Sequence, residues 1–485
     1  MNQADGERAS GEVSVDTVVM KFGGTSLEDP AAVRRAIQLV EGSPNRPVVV
    51  ASALARVTDQ LLEAATVAAQ GRLPLAVESV QQLEQRHLAV ARELVDNPTY
   101  TSLERALGRD FALLGELART LASSGELSAR LQDHFLGVGE SLASKIVQAA
   151  LSAAGRDAAW VDAWASIVTD AAHTQATPLW EETNQRLRSR ILPLLAAGKI
   201  PVMGGFIGAT RDGVPTTLGR GGSDFSAAIL GAALNARRIE IWTDVDGILT
   251  ADPKLCPDAR RVPRLSFEEA ADLAYFGAKV LHPSTIVPAM RQNIPVVVRN
   301  SRNPQGPGTE IAAQPNEPWV VKAVTAKPGV AVVDVEAVRW LAPELLREVF
   351  EVLEHHRYRP DLLSASRGSL TLLVESTESL PAVAEQLHGL ANVRWQNHRA
   401  LVSLVGEKVR RQPEIASQVF GALADVDLRM ICQGASERCI SFLVEEARAE
   451  EVVRRLHRLF FQSRFERYSS GSVAQTLCSA GSSWQ

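Results

Sequence analysis

Residues 18–26 read VVMKFGGTS, a short apolar run that closes on a lysine, a phenylalanine and two glycines. The run predicts a buried strand, and apolar residues at helical spacing from Ala31 to Val40 predict a helix directly after it. Further apolar runs follow at residues 47–51, 158–161, 200–204, 238–242 and 295–298. Buried strands separated by helices are typical of a parallel sheet that is covered on both faces. We therefore expect an α/β sandwich with a mainly parallel central sheet.

The chain divides into a long first domain and a repeated C-terminal part. Residues 16–312 hold all of these strands and a mostly helical block at about 58–149, after a polar leader at residues 1–15 that we expect to be disordered. Beyond a linker rich in glycine and proline, LTLLVE at 370–375 corresponds to ISFLVE at 440–445, and LREVF at 346–350 corresponds to ASQVF at 416–420. We expect two α+β modules at residues 319–392 and 393–468, each too small to bury its sheet alone, and a flexible tail at 469–485.

The composition disfavours several classes of function. A net charge of −5 over 485 residues argues against nucleic acid as a partner, because proteins that bind the phosphate backbone carry a basic excess. No apolar run approaches the roughly 20 residues of a membrane span, and the polar start has no signal-peptide core. The four cysteines, at positions 256, 432, 439 and 478, match no zinc spacing. We expect free thiols, no metal site in the protein and a cytoplasmic location.

Lys21 stands at the end of the first strand and is followed by Gly23 and Gly24. Glycines at this point allow backbone N–H groups to approach an anion, and the next helix presents its positive end to the same place. A lysine there can reach the β- and γ-phosphate oxygens of a nucleotide. Taken alone, this motif is explained better by a plain tight turn, and a phosphate-binding site stays the less favoured alternative.

A second glycine cluster reads TLGRGGSDFSAA at residues 217–228. Three glycines flank Arg220 and would form a backbone cradle beside its guanidinium, which can bind a carboxylate or a phosphate through two parallel hydrogen bonds. Ser223 or Asp224 could instead serve only as the cap of the following helix. A cap explains one residue and leaves the arginine among three glycines unexplained, so we favour a binding site.

Two later segments add candidate nucleotide contacts. WTDVDGILTADPK at residues 242–254 follows a strand and contains Thr243, Asp244 and Lys254. It is equally typical of a ligand-binding loop at the carboxyl end of a parallel strand and of two tight turns. FGAKVLHP at residues 276–283 adds Lys279 beside a glycine, whereas His282, which precedes a proline, is expected to be a turn residue rather than a catalytic base.

Taken in this order, KFGGTS, GRGGSD, TDVDG and FGAKVLHP resemble the aspartate kinases of the amino acid kinase family, from about Val18 to Phe461. The repeated modules resemble paired ACT domains, the regulatory units of that family. The resemblance implies an amino-acid-kinase-type sandwich followed by two ACT-like modules. It also implies transfer of the ATP γ-phosphoryl group to the β-carboxylate of L-aspartate, giving 4-phospho-L-aspartate, the first step towards lysine, threonine and methionine.

The resemblance assigns roles to individual residues. The two catalytic residues would be Lys21, which stabilises the transferring phosphoryl group, and Asp224, which organises that lysine. Aspartate would be bound by Ser52, Thr58, Glu140, Phe206, Arg220 and Ser223, with Glu140 receiving the α-ammonium. The nucleotide would be bound by Lys21, Gly23, Gly24, Thr243, Asp244, Lys254 and Lys279. An amino-acid effector would contact Asp361 and Ser366.

The implied reaction needs ATP with Mg²⁺ and no tightly bound organic cofactor. The aspartate carboxylate is already nucleophilic at neutral pH, so positioning and charge stabilisation would carry catalysis without a general base. Paired ACT-like modules imply a homodimer or homotetramer and a possible amino-acid effector.

Four positions depart from the family pattern. Ser141 stands where an arginine is usual, Arg56 where a glycine is expected, and Leu249 where a tyrosine often packs near the adenine. We expect these three to alter affinity rather than the reaction. In the first module Arg367 replaces a glutamate. A cation in place of the carboxylate that would hold an effector ammonium should weaken feedback by lysine.

Two other functions remain in view. A kinase of another small carboxylate, such as an acetylglutamate-like substrate, is disfavoured by Arg220. A catalytically weak amino-acid sensor is disfavoured because Lys21, Asp224 and Lys279 are all retained alongside that arginine. The length of the chain and the lack of a dinucleotide fingerprint disfavour a fused homoserine dehydrogenase.

Overall fold

The computed structural model describes residues 16–278, 283–314, 319–337, 340–356, 358–433 and 436–462. The chain divides into two compact units. The first comprises Met1–Ile248, Pro263–Ala271 and Val280–Glu317, and the second comprises Leu249–Val262, Asp272–Lys279 and Pro318–Gln485.

Within the described residues, the first unit is built on an eight-stranded sheet of order β3-β4-β2-β1-β7-β9-β10-β8, with β5 and β6 paired as a separate hairpin. The strands are β1 (Thr17–Phe22), β2 (Arg46–Ala51), β3 (Ala158–Val161), β4 (Ile200–Gly204), β5 (Ile207–Ala209), β6 (Pro215–Thr217), β7 (Arg238–Thr243), β8 (Arg264–Leu265), β9 (Val296–Asn300) and β10 (Thr309–Ile311). Neighbours in the large sheet run parallel except β9 and β10. The prediction of a mainly parallel central sheet is confirmed.

Helices surround this sheet. They are α1 (Pro30–Glu41), α2 (Val57–Ala69), α3 (Leu73–Leu94), α4 (Asn97–Ser124), α5 (Ala129–Ala153), α6 (Trp180–Ala196), α7 (Gly222–Leu234), α8 (Phe267–Tyr275) and α9 (Val287–Arg291). Four of them begin at a side chain that accepts a backbone N–H of the first turn, namely Asp29, Asp96, Ser128 and Ser266. All six residues of β1 are buried, so both faces of the sheet are covered at its centre.

The second unit contains a six-stranded sheet of order β12-β13-β11-β14-β16-β15. Its strands are β11 (Val321–Glu336), β12 (Leu362–Ala365), β13 (Ser369–Glu375), β14 (Asn392–Gly406), β15 (Met430–Cys432) and β16 (Cys439–Glu445). Its helices are α10 (Pro343–His355), α11 (Leu380–His388), α12 (Pro413–Ala422) and α13 (Ala449–His457). The two repeated LTLLVE-like runs are β13 and β16, and the prediction that α+β modules follow the parallel sheet is confirmed.

The two modules share their longest strands. The second half of β11 pairs with β13 and with the start of β14, whereas its first half, Val321–Lys327, pairs with the end of β14. The end of β14 also pairs with β16. The second module therefore completes its sheet with the first half of β11, which lies at the start of the first module in the chain.

Residues 249–262 belong to the second unit, although they lie shortly after β7 in sequence. Ala251 and Cys256 are buried among its apolar side chains. Thr250 accepts the Val324 N–H through its carbonyl, and its Oγ1 lies 2.9 Å from Nε2 of the buried His457. Cys256, Cys432 and Cys439 are free thiols, and Cys478 lies outside the described residues.

Among the described residues, no helix is both long enough and apolar enough to cross a membrane.

Candidate active site

Lys21 lies on the central strand of the parallel sheet and forms an ion pair with the first turn of α7. β1 runs between β2 and β7, where Lys21 is opposite Val50 and Ile241. Lys21 is 8% exposed, and its Nζ is 2.6 Å from Oδ1 of Asp224. The ion pair thus holds the ammonium in place near the carboxyl end of the central strand.

The two glycines after β1 bring the backbone close to two neighbouring segments. The Gly23 N–H donates to the Trp242 carbonyl at 3.0 Å. A Cβ atom on Gly24 would lie 3.0 Å from the Ala53 carbonyl oxygen, so a side chain there would displace the loop after β2. The segment is a tight turn, and it also stands beside the lysine, since a Cβ on Gly23 would be 3.6 Å from Lys21 Nζ. A tight turn and a phosphate-binding loop, the two interpretations of this motif, are therefore both compatible with this backbone geometry.

The arginine loop enters α7 through two left-handed glycines. Gly219 has φ of 78° and Gly221, which caps the helix, has φ of 71°. No side chain caps α7, so Ser223 and Asp224 are not caps but residues of its first turn. Arg220 is exposed between the two glycines. The interpretation of Ser223 or Asp224 as only the cap of the helix is therefore wrong.

Glu140 is a buried carboxyl group on α5 with an unfilled hydrogen-bonding position. It is 3% exposed, and its Oε2 forms no hydrogen bond with any described residue. Burial raises its pKa to about 8, against the opposing effects of the Ala53 N–H and of the Lys21 charge. A buried carboxyl oxygen without a partner costs free energy unless a ligand supplies a donor, which makes this group a candidate receptor for a cation.

The remaining residues that are candidates for binding the substrate lie near the carboxyl ends of the same strands. Ser52 follows β2, and its N–H donates to the Phe22 carbonyl at 3.0 Å. Thr58 lies in the first turn of α2. Phe206 follows β4 with φ of 66°, a left-handed conformation that is strained for a phenylalanine and is held because its N–H donates to Ser226 Oγ. A Cβ on Gly205 would lie 2.7 Å from the Ser223 side chain.

These residues meet because parallel strands end together. β1, β2, β4 and β7 run parallel through their pairings, and their carboxyl ends are followed by the glycine turn, Ser52, Phe206 and Asp244. The crevice at the carboxyl ends of parallel strands is where open α/β sheets bind ligands.

The nucleotide candidates are distributed over both units. Thr243 ends β7 and its Oγ1 donates to Oδ1 of the exposed Asp244 at 3.2 Å. Lys254 is exposed and lies in the 249–262 segment of the second unit. Lys279 lies outside the described residues, as does His282.

Both residues that are candidates for binding an effector form side-chain contacts within the second unit. Asp361 receives the Lys327 ammonium on both carboxylate oxygens at 2.7 Å. Ser366 Oγ lies 2.7 Å from Ser369 Oγ.

One buried carboxylate near this site was not singled out by its sequence. Asp133 is fully buried on α5, where it contacts residues 173, 174 and 217. An aspartate in an amphipathic helix is normally expected on the exposed face, so the only signal was its distance of two helical turns from Glu140.

Comparison with known proteins places the chain among characterised families. Residues 16–300 match the model of the amino acid kinase family, and residues 402–460 match an ACT domain. The chain is 34% identical over 457 residues to lysine-sensitive aspartokinase 3 of Escherichia coli K12, covering 92% of this chain and all of that relative. It is also 34% identical to the chloroplastic aspartokinase 2 of Arabidopsis thaliana, covering 92% of this chain and 85% of the relative.

Solved structures give the same result. Aspartokinase III of E. coli in complex with aspartate and ADP, described as the R-state, matches with a TM-score of 0.83 at 33% identity, over 92% of this chain and all of that one. The same enzyme with lysine and aspartate, described as the T-state, matches with a TM-score of 0.76 at the same identity and coverage.

Proposed function

The chain belongs to the amino acid kinase family, and within it to the aspartokinases, and on that premise we propose that it phosphorylates the β-carboxylate of L-aspartate with ATP. The product is 4-phospho-L-aspartate, the first intermediate towards lysine, threonine and methionine. The observation that carries the proposal is the ion pair of Lys21 and Asp224 close to the unpartnered carboxyl of Glu140. The Lys21 ammonium suits a phosphoryl oxygen, and the Glu140 carboxyl suits the ammonium of an amino acid.

Glu140 and Arg220 bind the two ends of the amino acid backbone in this proposal. Glu140 receives the α-ammonium, which supplies the missing donor to its buried oxygen. Arg220 pairs with the α-carboxylate, and the glycines on either side leave room for that carboxylate to approach. Ser52, Thr58, Phe206 and Ser223 line the same pocket, and the β-carboxylate then points towards the lysine.

Lys21 stabilises the negative charge that develops on the transferring phosphoryl group, and Asp224 keeps its ammonium in place. Backbone N–H groups around Gly23 and Gly24 contact the phosphates. Thr243, Asp244, Lys254 and Lys279 bind the rest of the nucleotide. Since the substrate carboxylate is itself the nucleophile, the protein supplies position and charge rather than a base.

Magnesium would enter the site with ATP in this proposal and would neutralise part of the negative charge of the phosphates. Within the part of the chain that the structure describes, no group of three or more His, Cys, Asp or Glu side chains could hold a metal ion. The exposed carboxylates of Asp244 and Asp246 at the end of β7 are of the hard oxygen type that magnesium prefers, and they would lie beside the nucleotide.

The ACT-like modules serve regulation and assembly in the same proposal. They form a homodimer or homotetramer and can receive an amino-acid effector. The enzyme works in the cytoplasm.

The test is a hydroxamate assay, which detects acyl phosphates, combined with coupled measurement of ADP. We expect aspartate to be used far better than glutamate or acetylglutamate. Lys21→Ala should lower kcat by about 100-fold or more while circular dichroism and thermal unfolding stay close to those of the wild type. Lys199→Ala is the matched control, because Lys199 forms an ion pair with Asp157 at the surface, away from the carboxyl ends of the strands.

Two outcomes would contradict the proposal. One is a folded Lys21→Ala variant with near-normal aspartate-dependent ADP release. The other is a wild-type protein that forms hydroxamate from acetylglutamate or glutamate as readily as from aspartate.

A further inference from the structure

Asp133 is a fully buried carboxylate that is hydrogen-bonded to groups from two other segments of the chain. The Thr174 N–H lies 3.0 Å from Oδ1 and 2.9 Å from Oδ2. Thr217 Oγ1 donates to Oδ1 at 2.5 Å, and His173 Nδ1 lies 2.8 Å from Oδ2. Burial of a carboxylate is costly unless it is fully hydrogen-bonded, so this arrangement fixes all three partners relative to α5.

The partners of Asp133 adjoin the arginine loop. Thr217 is the last residue of β6, three positions before Arg220, and its carbonyl accepts the Ala176 N–H. A Cβ on Gly219 would lie 3.1 Å from the Thr174 carbonyl oxygen, so the loop and the 173–176 segment are in close backbone contact. Thr174 itself has φ of 72°, a strained conformation that the carboxylate stabilises through the Thr174 N–H.

Asp133 and Glu140 occupy one face of the same helix. Seven residues are close to two helical turns, so the two carboxyl groups are separated by about 10 Å along the axis. One rigid element therefore carries the proposed ammonium receptor and the group that holds the arginine loop.

From this geometry we infer that Asp133 is a positioning residue, which sets the distance between Arg220 and Glu140 and thereby selects an α-amino acid. The inference rests on the proposed function of that site. Asp133 touches neither substrate nor nucleotide in it; it acts through Thr217 and Thr174.

Asp133→Asn is the decisive variant. The Thr174 N–H is shared by both carboxylate oxygens, so whichever way the amide is turned, an NH₂ group meets an N–H donor. We expect the KM for aspartate to rise about tenfold or more, with the KM for ATP within about twofold of the wild type. Thr217→Val should give a smaller effect in the same direction, since it removes one hydrogen bond and keeps the shape.

Substrate choice separates positioning from plain structural support. β-Alanine lacks only the α-carboxylate of aspartate, so the preference for aspartate over β-alanine reports the arginine contact. We expect this preference to fall about tenfold in Asp133→Asn and to be unchanged in Asp110→Asn. Asp110 is the control because it is also a largely buried carboxylate of the helical block, paired with Lys145 at 2.6 Å.

The inference is overturned if folded Asp133→Asn and Thr217→Val keep the wild-type KM for aspartate and the wild-type preference, or if both KM values rise together. If Asp133→Asn does not fold, Thr217→Val alone decides. A wild-type protein without aspartate-dependent activity would instead contradict the proposed function.

Discussion

Glu140 combines two properties that make substrate binding depend on pH. Its buried carboxyl has a pKa of about 8, so most of it is protonated at pH 7 in the ligand-free protein. An ammonium group beside it stabilises the ionised form, because opposite charges attract strongly where water is excluded. In the proposed site, binding of aspartate therefore requires the loss of this proton below pH 8.

We predict that the KM for aspartate falls as pH rises from 6 to 8, by at most about tenfold per pH unit, and levels off above pH 8. The measurement is the KM for aspartate at saturating ATP across this range. In Glu140→Gln, which cannot ionise, the KM should be raised and should change little with pH. A wild-type KM as flat as that of the variant would contradict the assignment of Glu140 to the ammonium.

Arg56 shows what a departure from the family pattern does to the backbone. It precedes α2 with φ of 66°, in the left-handed region, at a position where a glycine is expected. Its side chain is exposed and does not cap the helix. The arginine therefore brings backbone strain at a turn next to the substrate candidate Thr58.

We predict that Arg56→Gly raises the free energy of unfolding by up to about 1 kcal/mol, because glycine relieves the strain but gains entropy in the unfolded chain. Arg56→Ala is the matched control, since it removes the same side chain and keeps the strain. Urea denaturation of the three proteins measures the difference. Equal stability of the glycine and alanine variants would contradict the prediction, because the relief of strain would then not exceed the entropy that glycine gains in the unfolded chain.

At the scale of elements, α3 contains a histidine that is buried in the neutral form. His87 is fully buried, its ring meets Phe111 edge-on at 5.5 Å, and its Nδ1 lies 2.7 Å from the Leu83 carbonyl. Burial lowers its pKa to about 4, with a smaller contribution from the charge of Arg86 and against the hydrogen bond to Leu83. The unfolded chain takes up a proton near pH 6.5, whereas the folded chain does so only near pH 4.

The free energy of unfolding should therefore fall by up to about 3 kcal/mol as pH is lowered from 6.5 to 4, because in this range the unfolded chain takes up a proton on His87 and the folded chain does not. We predict that the free energy of unfolding of His87→Leu, measured by urea denaturation, declines less than that of the wild type between pH 6.5 and 4. His355→Gln, at an exposed site, should follow the wild type. Parallel pH curves for all three proteins would exclude this role.

Most strands of the first unit could be predicted because each is a continuous apolar run, and the helical block because its apolar residues recur every three or four positions. The hairpin of β5 and β6 escaped prediction, since three-residue strands are too short to show a period. The sharing of β11 between the modules also escaped, because strand pairing is decided by partners some eighty residues away.

Some residues of the candidate site could likewise be predicted from the sequence, and others could not. Glycines beside a charged residue at the end of a strand are visible locally, which is why Lys21, Arg220 and Asp224 could be selected as candidates from the sequence. Asp133 could not, because nothing local distinguishes a buried aspartate from one on the solvent face of the helix. The placement of the segment around Lys254 depends on tertiary contacts with α13, which its own residues do not indicate.

At the scale of the whole molecule, regulation depends on whether the second unit can bind an effector. Lys327 already occupies the Asp361 carboxylate, with Nζ 2.7 Å from both oxygens, and this pair is only partly exposed. Arg367 lies over the Trp340 ring, its Cζ 3.8 Å from the centroid. If Asp361 receives the effector as proposed, a free lysine would have to displace an ammonium like its own and would meet a guanidinium where the family pattern predicts a glutamate, so its binding should be weak.

We predict that about 1 mM lysine inhibits the wild-type enzyme by less than about twofold, because an effector can shift activity only as far as its differential affinity allows. The combined variant Lys327→Met with Arg367→Glu frees Asp361 and restores a second carboxylate, and it should be inhibited at lower lysine concentrations than either single variant. Activity titrations with lysine, and with threonine and methionine as controls, make the measurement. Strong inhibition of the wild type below about 1 mM lysine would mean that the internal ion pair yields to the effector, and that regulation in this chain does not follow from the charge at position 367.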